Sequence, residues 1–261
     1  MAPFQINETE IIVFGLALIR ISTFFMTWPV FAQITVPNHV KVLFAVAVTF
    51  CIFNVIPRTG LEGQTYDDGL FWMASKEALI GALLGFVSRL LFFAVECGGH
   101  LIAVSMGLAS ATVFSPASGQ SVAVIEKFYV VLLTLLFLGL NAHHTFITAM
   151  VESFTAVPIS PAGIDLAAFG SQKGGAEMIQ AVTLSGLKMA APLMVVIFFL
   201  NVAMGIIGRA VPQINVLVTS LSVNIMAGLV AMIVTLPALF VVLDRDVINF
   251  TEILFRLMRT L

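Results

Sequence analysis

The pair of residues most suggestive of chemistry is His143-His144, followed about two helical turns later by Glu152. Imidazole and carboxylate groups are common metal ligands. Adjacent residues of a helix point about 100° apart, however, so the two histidines would not converge on one ion. The HExxH spacing of helical zinc sites is also absent. Structural hydrogen bonding or a position at the membrane interface therefore explains these residues better than a membrane metalloenzyme, and we predict no metal and no cofactor.

The sequence also lacks motifs for nucleophilic catalysis and for phosphate binding. The serines between residues 105 and 118 lack the strand–turn–helix setting of a nucleophile elbow, and no phosphate-binding loop occurs. Lys188, near Pro192, fits a transporter's substrate site, although a lysine that extends its ammonium to the membrane surface is the simpler explanation. We therefore predict no catalytic residues and no enzyme.

Composition indicates a membrane protein. Of the 261 residues, 60% are hydrophobic and 10% charged, against about 25% charged in ordinary soluble domains. The net charge of −2 provides no basic footprint for nucleic acid. Cys51 and Cys97 lie in apolar runs and are read as small buried hydrophobes. Glu8 and Glu10 precede the first apolar stretch, which argues against a cleaved signal peptide and for a permanent helix.

Apolar segments of helical length cover most of the chain. They are residues 11–31, 40–57, 77–106, 122–142, 143–157, 177–210 and 213–243, with an amphipathic tail at 247–260. Polar or Pro/Gly-rich loops occupy 58–76 and 158–176. As a helix, residues 77–106 would extend about 45 Å, whereas the hydrocarbon core is about 30 Å thick. We expect these long helices to tilt, to kink at Pro192, or to project beyond the bilayer under a cover of protein.

Small and polar residues form stripes on the predicted helices. In the third helix the stripe comprises Gly81, Gly85, Arg89, Phe92, Glu96 and Gly99. Shorter stripes comprise Arg20, Thr23 and Thr27; Asn201, Gly205 and Arg209; and Ser220, Asn224 and Gly228. Small residues permit close helix approach, and charges facing lipid are costly, so these faces should meet protein or water. Two interpretations remain: packing within the chain, or packing against other subunits around a pore.

Residues 101–125 contain no charged side chain, although glycine, serine and proline break the helix there. The helix breakers and apolar residues of this segment include Gly107, Val113, Phe114, Pro116 and Gly119. Irregular backbone at membrane depth is tolerated only where protein buries it or where it lines a cavity. The segment therefore predicts a re-entrant loop or plug, with an ordinary tight connection as the alternative.

Motifs along nearly the whole chain, each weak alone, resemble in order those of the FliR family of flagellar biosynthesis proteins and its virulence-system relatives. They are Arg20-Ile-Ser, Phe24-Phe-Met, Pro29-Val-Phe, Lys76-Glu77, Gly85-Phe86, Arg89-Leu90, Val95-Glu96, Met106-Gly107, Phe137-Leu138, Asn141-Ala-His143-His144, Ser153-Phe154, Pro158, Gly208-Arg209 and Pro212-Gln213-Ile-Asn215-Val216. Of the two branches, the flagellar one is preferred.

The resemblance implies an all-α polytopic membrane protein of long, partly broken helices and helical hairpins. It implies a subunit of the type III export gate that assembles with FliP and FliQ into one closed heteromeric channel, with FlhB at the entrance. Other export-apparatus and basal-body components would also be partners, and unfolded export substrates would pass through this channel. The channel would stand in the bacterial inner membrane, within the flagellar basal body, raised toward the periplasm and in contact with membrane lipid.

The resemblance also assigns parts of the chain. Residues 1–176 resemble FliP, and residues 177–261 comprise a FliQ-like hairpin (177–243) plus a short tail, while residues 107–120 match the family's channel plug. The predicted interface residues are Arg20, Gly81, Gly85, Arg89, Glu96, Asn201, Gly205, Arg209, Pro212, Gln213 and Asn224. The alternative function is a secondary transporter of small solutes, which would be expected to show internal repeats with matched helix breaks; the sequence shows no convincing repeat.

Overall fold

The structure, a computed structural model, describes residues 8–29, 36–57, 69–108, 121–160, 172–211, 213 and 215–258. These residues form seven α-helices and no strand, which confirms the predicted all-α class. The helices are α1 Glu8–Thr27, α2 Asn38–Ile52 with a 3-10 turn at Phe53–Val55, α3 Leu70–Ser105, α4 Ser121–Gly139, α5 Ala142–Ala156, α6 Gln172–Ala210 and α7 Val216–Met258.

Within the described residues, five helices are long and apolar enough to cross a membrane, namely α1, α2, α3, α6 and α7. The number rises to six if α4 and α5 together form one broken span. Asn141 separates these two helices with a φ of 55°, a left-handed conformation that ends regular helix geometry. The polytopic membrane architecture predicted from composition is thereby confirmed.

Three helices exceed the length of a simple span. The longest, α7, has 43 residues and extends about 64 Å. It continues through Pro237 and to Met258, so residues 247–258 are not a separate tail: the charges at 244–246 are compatible with a helix and do not end it. Helix α3 begins at Leu70, within the predicted polar loop, because no helix breaker occurs between Gly69 and Gly81.

The chain divides into two compact units, each assembled from separate stretches of sequence. The first contains residues 1–90, 141–178 and 249–261, and the second contains residues 91–140 and 179–248. The boundary at residue 176 drawn from the family resemblance concerns similarity to other subunits rather than compactness, and it stays a prediction.

Aromatic side chains of α1 form the centre of the first unit. Phe24 and Phe25 are fully buried, and the Phe24 ring stacks on that of Trp28 with centroids 5.5 Å apart. Phe25 meets Phe44 of α2 edge-on at 5.0 Å. Helix α2 itself is largely uncovered, since only 11% of its span is buried. Its outer face therefore requires lipid or another polypeptide against it.

Two glycines allow α3 to approach α1 within the first unit. A Cβ atom on Gly81 would collide with the Arg20 carbonyl oxygen and the Thr23 hydroxyl, and one on Gly85 would collide with the Thr27 hydroxyl. The threonine hydroxyls are occupied within α1: Thr27 Oγ1, for example, donates to the Thr23 carbonyl at 2.8 Å. The predicted small-residue stripe thus includes a contact inside the chain itself.

The second unit uses the same device at Gly98 and Gly99 of α3. A Cβ on Gly98 would lie 3.0 Å from the carbonyl oxygen of Gly186 on α6, and one on Gly99 would lie 3.0 Å from Cα of Glu126 on α4. The Glu126 carboxylate lies 2.6 Å from Nδ1 of His100, which adds a polar contact between α3 and α4. Consecutive glycines therefore admit a different helix on each side of α3.

We predict that Gly85→Leu destabilises the isolated chain, because the leucine has no room beside Thr27. The expected loss is about 1–3 kcal/mol, the usual cost of overpacking. The measurement is the unfolding midpoint of the purified chain in mild detergent. Gly15→Leu is the matched control, since no atom lies within 4 Å of a Cβ there. Equal midpoints for the two variants would contradict the α1–α3 packing.

Candidate functional site

Arg20 is the largest polar side chain that the described residues bury completely. Its Nε donates to Glu77 Oε2 of α3 at 2.5 Å. One terminal nitrogen donates to the Ser153 carbonyl at 2.9 Å and to its hydroxyl at 3.1 Å, and the other donates to the Val157 carbonyl at 2.9 Å. The guanidinium also lies 4.2 Å above the centroid of the Phe154 ring. One side chain of α1 thereby connects α3 with the end of α5.

These contacts complete the C-terminus of α5. The last carbonyl groups of a helix have no partner within it, and Pro158 follows the C-cap residue Val157. Arg20 satisfies the Val157 carbonyl and adds a second bond to the Ser153 carbonyl, which already accepts the Val157 N–H at 2.9 Å. Lys76 Nζ donates to the Ser160 carbonyl at 3.2 Å. Positive charge is favourable at this end of the helix dipole. The sequence of α5 therefore folds against cations that other helices supply.

Glu77 supplies the balancing negative charge. Both members of the pair are buried, with side-chain exposures of 0% and 1%. Such a pair costs desolvation when it forms, but removal of one partner is worse because it leaves an uncompensated buried charge. The second carboxylate oxygen of Glu77 has no hydrogen bond among the described residues. The Arg20–Glu77 pair is thus a device for specifying which helices meet rather than a large net source of stability.

The structure separates the predicted stripe of α3. Gly81 and Gly85 face α1, in the same unit as the Arg20–Glu77 pair. Arg89 is exposed, and Glu96 is half-buried. Phe92 is buried and meets Phe137 of α4, with ring centroids 5.8 Å apart. Only part of the stripe is therefore used inside the chain.

The predicted residues of α6 and α7 meet at one point. Asn224 Nδ2 donates to Asn201 Oδ1 at 2.8 Å, which joins the two long helices by an amide–amide bond. Asn224 is buried, and its side-chain oxygen Oδ1 lacks a hydrogen-bond partner among the described residues. Gly205, Arg209 and Gln213 are exposed. Pro212 lies outside the described residues.

Of the predicted plug, the structure describes the beginning. Gly107 follows the end of α3 with a φ of 82°, a left-handed conformation that favours glycine. A Cβ there would also lie 2.8 Å from Leu221 Cδ1 of α7. Val113, Phe114, Pro116 and Gly119 lie outside the described residues. Their assignment to a plug stays a prediction.

Sequence reasoning missed three partners that the structure brings together. It left Arg20 without a named counter-ion, although Glu77 lies one helical turn before Gly81 and so on the same face of α3. It also missed the approach of Gly98 to Gly186 and the contact of His100 with Glu126. In each case the residue types were informative, but the pairing required tertiary contacts between distant segments.

The histidine pair forms no recognisable metal centre in the described part of the chain. The rings of His143 and His144 lie edge to face, with centroids 4.3 Å apart. No three histidine, cysteine or carboxylate side chains of the described residues converge as metal ligands.

We predict that Arg20→Met and Glu77→Met each destabilise the chain by about 3–5 kcal/mol, because each leaves its partner as an unpaired buried charge. The double variant should lose less than the sum of the two, by roughly 1 kcal/mol or more. Unfolding of the purified chain in mild detergent measures all three.

The matched control for this cycle is the exposed pair Arg256–Glu177, which lies at 3.3 Å in the same unit with side chains 66% and 49% exposed. Its removal should cost less than about 1 kcal/mol. Additive losses for Arg20 and Glu77, or losses no larger than those of the control pair, would refute the proposed role of the buried pair.

Comparison with known proteins gives a consistent result. The family described as bacterial export proteins, family 1, matches residues 11–249. The flagellar biosynthetic protein FliR of Bacillus subtilis (strain 168) is 32% identical over 241 residues, 91% of each chain. FliR of Escherichia coli (strain K12) is 30% identical over 220 residues, 84% of this chain and 82% of its own. FliR of Aquifex aeolicus (strain VF5) is 27% identical over 247 residues, 95% and 94% of the two chains. The chain therefore belongs to family 1 of the bacterial export proteins, the family of the FliR proteins, as its motifs predicted.

Proposed function

We propose that this chain is a non-catalytic subunit of the flagellar type III export gate and forms part of the wall of a closed protein-conducting channel. FliP and FliQ are its partners in that channel, and FlhB contacts the entrance. The channel lies in the inner membrane within the basal body, raised toward the periplasm. Unfolded export substrates pass through it, and other components of the apparatus supply the energy.

The observation that carries this proposal is the large uncovered surface of the long helices. Only 22% of the spanning window of α6 is buried, and the same holds for α7. The uncovered surface includes a polar group, since the Asn201 side chain is exposed on α6 although its Oδ1 accepts from Asn224. Lipid covers apolar side chains well, but the remaining N–H groups of such an amide require protein or water. A heteromeric helical channel provides both.

The end of α3 supports the plug assignment. The helix stops at Ser105, and Gly107, within the uncharged segment 101–125, has a left-handed backbone conformation. The chain therefore leaves the regular helix at the residue where the family resemblance starts the plug. Because the segment has no charged side chain, it can be buried among protein subunits. In that position it closes the pore to ions.

A secondary transporter is not favoured. The lysine that suggested a substrate site, Lys188, is exposed on α6 rather than enclosed in a pocket. A cavity of about 460 Å³ between α6 and α7 is lined by aliphatic side chains and Thr235. Such a lining offers few polar groups for orienting a solute, in contrast to ordinary substrate sites.

The decisive test is purification of the tagged chain from membranes in mild detergent. We expect FliP and FliQ to co-purify in fixed proportion, and FlhB to be recovered with them. Saturable uptake of a small solute by the chain alone in liposomes would overturn the proposal. Recovery of the chain as a monodisperse monomer with its polar faces covered would count equally against it.

The plug assignment has its own test. Replacing residues 109–119 with a short Gly/Ser linker should make cells leaky to ions or small solutes, because the barrier is removed while the helices remain. The same replacement at residues 161–170 is the control and should leave conductance unchanged. If the complex still assembles and conductance does not rise, residues 107–120 are not the plug.

A further inference from the structure

One face of α3 in the first unit is exposed at five of its six positions, and the sixth, Ala82, is half-buried. Its residues recur at alternating spacings of three and four, and they are Trp72, Ser75, Leu79, Ala82, Phe86 and Arg89. We call this set the α3 stripe. Trp72 is 75% exposed and Phe86 is 47% exposed. Spacing of this kind averages 3.5 residues, the repeat with which one helix packs side chains into the holes of another.

The α3 stripe is not the face that the chain already uses. Glu77, Gly81 and Gly85 turn toward α1 and are buried. The stripe lies on the remaining side of the helix and carries large apolar side chains. Lipid alone would satisfy those apolar groups, and they do not by themselves identify a partner.

Arg89 is the residue of the α3 stripe that indicates a protein partner. It is exposed, and it makes no ion pair with any described residue. It lies 19 residues after Leu70 and 16 before Ser105, which places it about 28 Å and 24 Å from the helix ends. A charge in the middle of an apolar helix is too costly to leave against hydrocarbon.

Another arginine of the chain has its charge balanced by a carboxylate on a neighbouring helix. Arg20 is also an arginine within an apolar helix, and it is paired with a carboxylate, Glu77, on a neighbouring helix. Guanidinium groups match carboxylates in shape as well as charge, because two N–H groups can donate to both oxygens. Arg89 has the same requirement, and no carboxylate of the described residues pairs with it. By charge complementarity, its counterpart belongs to another polypeptide.

We propose that the α3 stripe docks a transmembrane helix of a neighbouring subunit, and that this helix presents an aspartate or glutamate to Arg89. The proposal rests on the gate function proposed above and adds the chemistry of one contact. A lipid phosphate would meet Arg89 only at the membrane surface, and a water-filled lumen would leave the aromatic residues of the stripe uncovered.

The test compares Arg89→Lys, Arg89→Leu and Arg89→Glu in the full chain, expressed with the rest of the export apparatus. The amount of each variant in the membrane is measured first, followed by the fraction recovered in the assembled complex. Arg89→Glu should reduce that fraction about 30-fold or more, as for loss of one partner of a buried charge pair. Arg89→Leu should reduce it clearly, and Arg89→Lys least. Phe86→Leu, an apolar change on the same stripe, is the matched control and should assemble nearly normally.

Motile revertants of Arg89→Glu identify the partner. We expect them to replace an acidic residue in a transmembrane helix of one neighbouring subunit with a neutral or basic one. A cysteine at Leu79 should cross-link to that same subunit, which tests the contact even if Arg89→Glu does not accumulate.

Three results would overturn the docking proposal without affecting the gate function. Normal assembly of Arg89→Leu would show that the residue faces lipid. Normal assembly of Arg89→Glu with altered conductance would place Arg89 in the lumen. Cross-linking of Leu79 only to lipid would remove the partner helix. Failure of the wild-type chain to co-purify with any subunit would instead contradict the gate function itself.

Discussion

A buried arginine controls how the first unit is built. Arg20 leaves α1, meets Glu77 on α3 and completes the end of α5, so three helices from distant parts of the sequence depend on one guanidinium group. In an apolar environment its hydrogen bonds cannot be replaced by water. The arrangement therefore tolerates few alternatives: a shift of any of these helices would leave a charge or a carbonyl group unsatisfied. Specificity of packing, rather than net stabilisation, is what such a pair supplies in a bilayer.

Elsewhere the chain combines close glycine contacts with broad uncovered faces. Gly98 and Gly186 bring α3 and α6 together, and Asn201 and Asn224 join α6 to α7. Within the described residues, only 22% of the spanning windows of α6 and α7 is buried. A polypeptide that buries so little of its helix surface within itself is suited to assembly with other polypeptides. This agrees with membership in a family of export proteins and with a role as one segment of a larger wall.

The sequence predicted the helical class, the membrane setting and the family, because each depends on local composition or on motifs in order. Most helix positions were predicted as well. The start of α3 and the end of α7 were missed: residues 70–76 were assigned to a polar loop and residues 247–258 to a separate tail, although both stretches lie within continuous helices. Contacts between residues were harder to predict, because no local feature of the sequence links Arg20 to Ser153 or Gly98 to Gly186. The stripe predicted from Gly81 to Gly99 was expected to share one face of the third helix. Small differences in angle around the helix instead leave Gly85 buried and Arg89 exposed.

The separation in sequence between Arg20 and its partners has a consequence for biogenesis. Glu77 is 57 residues later, and the carbonyl groups at Ser153 and Val157 are 133 and 137 residues later. Ribosomes deliver the N-terminus first, so α1 reaches the membrane while its arginine still lacks every one of these partners. An unpaired arginine is costly in hydrocarbon, so α1 gains its full stability in the bilayer only after α3 and α5 have followed it. Because residues 249–261 also belong to the first unit, the helices made first complete their fold only after the last part of the chain has been synthesised.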